Sequence, residues 1–514
     1  MRFRGPLADS YPAAAVLVVC ALVPYLALTS ALTPLAPVLS HSLKMSRATF
    51  AMSDGMANAA YAVGTVLAVQ LAVHLPGRRL LIVYAALLVA GSVMAAAATT
   101  PGLFIAGHVL QGLCTSLMLI AAVPALVTGW PASKMPFTGV IMNMCIFGAV
   151  AAGPFLGGVQ AGADTFRPLF WIVAGIGAIA LLFAVLTFED QPPQDRSAPW
   201  DLVAVALAAA GCVAAFFGSA RLEVHSLLDP ATFAPLVGGV LMIVALVVHE
   251  YRARRPLMPV KQFSSTLPVA GILIAICAGA ASIALVELAE TAAKTSITPV
   301  HLGVLFLPEV GGAVVTAVIF GALFATRFTP PFALAGMATL CAGGAVLIGV
   351  AGDPSVLVPV GAGLVGLGVG ASVSPALFMA GFSLKSQVLP KVFALIELLR
   401  GVAAFMVAPI LLHVALTTGS SPVAGGKNAT WASLVIAAAG GGMAVLIFVL
   451  GRAHLQRPDL ERWQGGEGPA WHSPRLAAGL RGDFQPRARR AEGPSVDGAH
   501  PRDRRAAAAR AELP

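Results

Sequence analysis

Charge is scarce in this chain. Only 11% of its residues are Asp, Glu, Lys or Arg, where a soluble globular domain carries about 25%, so a water-soluble core is excluded. Cysteine is sparse too: Cys20, Cys114, Cys145, Cys212, Cys277 and Cys341 all sit inside apolar runs. There a thiol behaves as a small hydrophobe, and no disulfide is expected. The ten His are scattered without ligand spacing, so neither a metal nor a cofactor is expected. Short alternating strands are missing, which excludes a β-barrel. No catalytic constellation appears either, so the chain does not read as an enzyme.

What is present is apolar length. Hydrophobic residues make up 58% of the chain and the mean hydropathy is +0.86. A helix needs roughly 20 apolar residues to cross a hydrocarbon slab about 30 Å thick. Fourteen runs meet that length, near residues 13–39, 51–73, 79–98, 102–127, 136–160, 168–188, 200–220, 231–250, 268–291, 299–325, 331–351, 355–384, 391–416 and 430–450. The expected class is therefore an all-α polytopic membrane protein with 14 transmembrane helices. A polar, Pro-rich hinge from Glu189 to Pro199 divides them as 6+2+6. The expected organisation is a six-helix bundle over 1–190, a linker with two extra helices over 191–262, a second six-helix bundle over 263–451 and a tail over 452–514.

Lys and Arg are retained on the cytoplasmic side of a membrane. With the N-terminus inside, the inner loops up to Lys391 hold 13 such residues and the outer loops 6. An even number of spans returns the C-terminus to the same side, so the expectation is a multi-pass protein of the cell membrane with both ends cytoplasmic. The tail carries 12 Arg against 8 acids and no apolar periodicity. It is expected to be disordered and to rest on anionic membrane lipids. Nucleic-acid binding is not expected, because the tail has few aromatics beyond Trp463, Trp471 and Phe484 and no nucleic-acid module.

Two motifs are decoys. Gly361 to Gly366 spells G-x-G-x-x-G, but inside an apolar helix with no preceding strand, where small residues serve helix packing. Asn428-Ala429-Thr430 is a glycosylation sequon in an expected outer loop. A sharper signal lies in the fifth helix, where Gly148, Gly153, Gly157 and Gly158 surround Pro154. Proline removes a backbone donor and the glycines leave a smooth face, so the helix can bend and slide against a neighbour.

That run resembles the antiporter motif G-x-x-x-(G/A)-G-P-x-x-G-G of the major facilitator superfamily, found in its fourteen-helix drug:proton antiporters. Gly77, Arg78 and Arg79 resemble the end of the superfamily loop motif, and Gln111-Gly112 the end of R-x-x-Q-G. The chain also departs from the pattern. His74 stands at the loop motif's acid position, His108 replaces the fourth-helix Arg, and the first helix reads Leu28-Thr29-Ser30 onward to Pro37 without the family's Asp. The resemblance implies a secondary transporter that exports a lipophilic or amphipathic small molecule against protons.

With those two groups missing, other ionisable residues in the spans become the proton-coupling candidates, because a charge in a membrane is costly. Glu309 follows Pro308 about ten residues into the tenth helix, hence about 15 Å deep. Glu397 and Arg400 lie three apart and share a face. Glu287 and Glu290 share a face of the ninth helix, with Lys294 one turn beyond as a surface partner for Glu290. Asp54 stands near the outer mouth of the second helix, and His108 is either a proton carrier or a hydrogen-bonded core residue. Two other readings stay open: a proton-independent metabolite exporter or uniporter, and a non-transporting membrane sensor or scaffold.

Overall fold

The computed structural model describes residues 5–187, 198–294 and 297–476. Fourteen of its helices are long and apolar enough to cross a membrane. They are α1 (Tyr11–Leu43), α2 (Arg47–His74), α3 (Gly77–Ala96), α4 (Pro101–Thr128), α5 (Ala132–Gly162), α6 (Arg167–Thr187) and α7 (Leu202–Arg221). There follow α8 (Pro230–Arg252), α9 (Thr266–Ala293), α10 (Pro299–Leu323), α11 (Thr329–Leu347), α12 (Pro354–Phe382), α13 (Ser386–Thr417) and α14 (Pro422–Leu450). A short α15 (Leu460–Gln464) comes last. This is an integral membrane protein of all-α class.

Several helix starts share one grammar, a side-chain oxygen that caps the first turn and a proline just behind it. Ser10 accepts from Ala13 N, Asp229 from Ala231 N and Ser421 from Ala424 N, with Pro12, Pro230 and Pro422 in the first turns. That last cap moves the start of α14 two turns ahead of the expected position. Asn428 therefore lies on an exposed turn of helix and not in a loop.

α1 packs on α4, α5 and α6, while α9 packs on α12, α13 and α14, giving two bundles. They meet along two seams, α5 on α10 and α2 on α13. α7 and α8 pair with each other, and α7 lies against α2 and touches α13. Of the hinge expected over Glu189 to Pro199, residues 189–197 lie outside the described residues.

Two spans are interrupted, both at the α5–α10 seam. α5 departs from α geometry in a π turn at Met144–Gly148, and the α-helix that follows runs through Pro154. The irregularity thus precedes the proline instead of coinciding with it; such turns interrupt the hydrogen-bond ladder and mark places where a helix can rearrange. α10 breaks at Phe306, two residues before Pro308, which occupies the first turn of the second segment.

The tail needs a correction. Residues 452–476 are folded as a strap across the face that bears the N-terminus. Trp463 and Trp471 are buried, with the Trp463 ring 4.5 Å from Phe382 and its Nε1 donating to Leu384 O at 2.8 Å. Thr266 N donates to Pro474 O and Ala470 N to Phe382 O. Gln464 Nε2 reaches the other bundle, donating to the carbonyls of Thr128 and Trp130. Two tryptophans bury enough surface to order a segment whose average composition is polar. The remainder, residues 477–514, lies outside the described residues.

Candidate functional site

Between the bundles lies a cavity of about 400 Å³, within the range of small-molecule sites. It reaches the face opposite the N-terminus at Ser40, Arg47, Glu223 and Lys294, and ends near Leu26, Ile146, Val369 and Arg400. Its walls come from α1, α2, α5, α9, α10, α12 and α13, so both bundles contribute. Toward the N-terminal face the way is packed by Phe320, Phe324, Phe378 and Phe382, whose neighbouring ring centroids are 5.1 to 5.7 Å apart.

The α1–α6 side of the cavity carries one acid, Asp54, and it belongs to a network. Asn58 Nδ2 donates to Asp54 Oδ2 at 3.2 Å, and Tyr25 OH donates to Asn58 Oδ1 at 3.1 Å. His108 Nε2 stands 3.9 Å from Asp54 Oδ1. Behind the imidazole the donor order can be read in sequence. Ser92 Oγ gives its proton to Leu88 O, so it accepts from Gln111 Nε2, which leaves Gln111 Oε1 to accept from His108 Nδ1. A neutral His108 therefore turns an unprotonated Nε2 toward a carboxylate oxygen. Both atoms are buried without a hydrogen-bond partner among the described residues.

The α9–α14 side carries three acids, Glu287, Glu290 and Glu309. Glu309 is 4% exposed and its Oε2 has no hydrogen-bond partner among the described residues. Its backbone lies against Gly366 of α12, where a Cβ would collide with the Glu309 carbonyl. Within the G-x-G-x-x-G run, Gly363 and Gly366 thus let α10 approach α12, while Gly361 faces Leu347 of α11. The expected surface pair of Glu290 with Lys294 is not formed within 4.0 Å: Glu290 is 4% exposed and turns into the cavity wall.

Between these walls, Glu397 and Arg400 are bound to each other, Arg400 Nε donating at 3.2 Å and NH2 at 2.5 Å to Glu397 Oε2. Tyr61 OH donates to the same Oε2 at 3.3 Å across the α2–α13 seam. Tyr61 also stacks on Tyr25, with ring centroids 5.9 Å apart, which sets the ion pair beside the Asp54 network.

The motif glycines divide between two neighbours. Gly153 and Gly157 face Ala27 and Ala31 of α1, Gly158 faces Pro299 and Gly303 of α10, and Gly148 meets only the Met144 side chain. A Cβ on Gly303 would sit 2.9 Å from Phe155 Cα and from Pro154 O, so glycine is required there. The loop residues are remote from the cavity. His74 binds Gln70 O and Ala198 O and stacks on Trp200, Arg78 donates to Val185 O at 3.4 Å, Gly77 opens α3 and Arg79 is exposed.

With this architecture in place, the chain matches the Major Facilitator Superfamily over residues 17–408. The chain belongs to that superfamily. Its relatives in the superfamily are distant. It is 29% identical over 307 residues to the puromycin resistance protein pur8 of Streptomyces alboniger, covering 56% of this chain and 59% of that one. It is 25% identical over 295 residues to a multidrug resistance protein B homolog of Mycobacterium tuberculosis, covering 55% and 54%. The tetracenomycin C resistance and export protein of Streptomyces glaucescens is 25% identical over 225 residues, covering 43% and 42%. The chain thus spans about half the length of the curated relatives it matches. Among solved structures, the peptide transporter POT shares the fold, with a TM-score of 0.57 at 18% identity over 86% of this chain and 95% of that one.

Sequence reasoning missed four contributors. Asn58 and Asn143 are the two asparagines inside the expected apolar runs, and that rarity was the available signal. Asn143 Nδ2 donates to Gly370 O and its Oδ1 accepts from Ser374 Oγ, both at 3.1 Å, across the bundle interface. Arg47 and Glu223 approach each other at 4.0 Å in the mouth. Both read as ordinary loop charges in the sequence.

Proposed function

We propose that the chain is a proton-coupled exporter of lipophilic or amphipathic small molecules, working by alternating access with both termini in the cytoplasm. On this reading the cavity opens outward. The observation that carries the coupling is the gap between His108 Nε2 and Asp54 Oδ1. Whichever group takes up a proton, an unfavourable contact becomes an attractive one, and the side chain at the cavity wall moves with it. Glu309 supplies the complementary station in the other bundle, with a cavity-lining oxygen that no described residue engages and that is open to a proton or a cargo donor.

The cavity walls hold five acids, Asp54, Glu223, Glu287, Glu290 and Glu309, against three cations, Arg47, Lys294 and Arg400. Arg400 is already neutralised by Glu397. The excess favours cargo with a positively charged end, and the Leu, Ile, Val and Phe side chains between the acids favour an apolar body. The resistance and export relatives support outward transport of such compounds.

Proton movement driven by tetraphenylphosphonium into vesicles carrying the full chain tests the reading. Asp54→Asn and Glu309→Gln should abolish it while keeping measurable binding of the cation. His108→Gln should lower it by about tenfold or more, as for loss of a positioned proton carrier. If both carboxyl variants couple as the parent does, protons pass elsewhere and Glu397 is the next group. If the parent moves the cation without protons, the proton-independent exporter replaces this reading.

A further inference from the structure

The two helices that separate the bundles are not spectators of the cavity. α7 ends at Arg221, and the next residues fold back over the cavity mouth before α8 begins at Pro230. Leu222 is pinned on α13, its carbonyl bound by His413 Nδ1 at 2.8 Å. One residue further, Glu223 turns inward and lines the cavity, its side chain 22% exposed and 4.0 Å from Arg47 Nε of α2. The α7–α8 loop thus touches one bundle by a hydrogen bond and the other by an ion pair.

Within its own loop, Arg221 and His225 are already engaged by Asp229, at 2.9 and 3.9 Å. From outside, Glu223 is faced by Arg47 and Asp54 of α2, by Glu287 and Lys294 of α9 and, behind Leu222, by His413 of α13. Arg47 is 60% exposed and is free to leave. A carboxylate of this kind, lining the mouth of a passage and holding a replaceable cation, selects what enters.

We propose that Glu223, carried into the cavity mouth by the two-helix insert, is a specificity-determining residue that favours cargo with a positively charged end by exchanging Arg47 for the cargo cation. This rests on the exporter reading above and adds a residue and a role for the insert. Burial, and then the Asp54 carboxylate, push the Glu223 carboxyl up to about 7, against the pull of Arg47 and Lys294. The selecting charge is therefore present above about pH 7 and is lost as the pH falls through it.

The test is equilibrium binding to the purified full chain without any gradient, with tetraphenylphosphonium and uncharged Nile red as probes, from pH 5 to 9. In the parent, affinity for the cation relative to the dye should fall as the pH drops through about 7. Glu223→Gln should lower that ratio by about fivefold at pH 8 and remove its step near pH 7, as expected for one carboxylate about 4 Å from a cation in water. Arg47→Gln should raise the ratio at pH 8, because the carboxylate is then vacant. An unchanged ratio and pH step in Glu223→Gln, or a parent with no preference for the cation, overturns the proposal. Failure of the exporter reading shows elsewhere, as absent cargo-driven proton movement in vesicles.

Discussion

Where α5 meets α10 the bundles touch backbone to backbone, Gly158 on Pro299 and Gly303 on Phe155, whereas the seam of α2 with α13 adds a polar tie to its packing: Tyr61 lies against Gly401 and Phe405 and donates to the buried Glu397 at 3.3 Å. Dispersion contacts between small residues fade gradually as surfaces slide. A hydrogen bond to a carboxylate is lost within about 1 Å. Under the proposed alternating access, the α5–α10 seam, with its π turn and broken helix, is suited to continuous rotation. The α2–α13 seam is suited to two discrete positions, joined or parted.

Substitutions that interchange these properties should break the comparison. The largest effect is expected from Gly303→Leu, whose side chain has no room against Pro154 O and Phe155 Cα at 2.9 Å. Overpacking a close contact costs about 1–3 kcal/mol even where relaxation is possible. Vesicle transport should fall to background while the protein remains in the membrane; normal transport would show that the seam does not need its glycines. Next is Glu397→Gln, which leaves Arg400 without its buried partner and should cost about 3 kcal/mol of thermal stability. Adding Arg400→Met should return most of that loss, and failure to do so would assign the pair another role.

Two smaller effects sharpen the contrast. Asn143→Ala removes two bonds to α12 beside the π turn, the acceptor of Ser374 Oγ and a donor to Gly370 O, and should cost about 1–3 kcal/mol, read as a lowered unfolding midpoint. Tyr61→Phe removes a single long hydrogen bond worth about 1 kcal/mol, so it should shift the joined and parted populations about fivefold. Spin-label distances across α2 and α13 would detect that shift, and an unchanged distribution would remove Tyr61 from the joint.

The spans were legible because apolar length is a local property, and so was the pairing of Glu397 with Arg400 three residues on. The relation between Asp54 and His108 was not. Each residue is visible as an isolated polar group, but only the packing of α2 on α4 sets Nε2 against Oδ1. Glu223 looked like any loop acid, since nothing within its own segment reveals that His413 holds the turn over a cavity. The strap was hidden differently. Its two tryptophans are eight residues apart with no helical period, and the surface that buries them, Phe382, lies some eighty positions earlier.

That strap is fastened unequally. It is tied to the α9–α14 bundle by Trp463, Trp471 and the backbone of Ala470, while Gln464 holds the α1–α6 bundle by two carbonyls. Were the bundles to part on that face, as the proposed alternating access requires, those amide contacts would be exchanged for water, at about 1 kcal/mol each, and the tryptophans would stay seated. The strap would then travel as an awning on one bundle, and a molecule arriving from that side would meet an off-centre doorway with the α4–α5 turn at Trp130 as its opposite jamb.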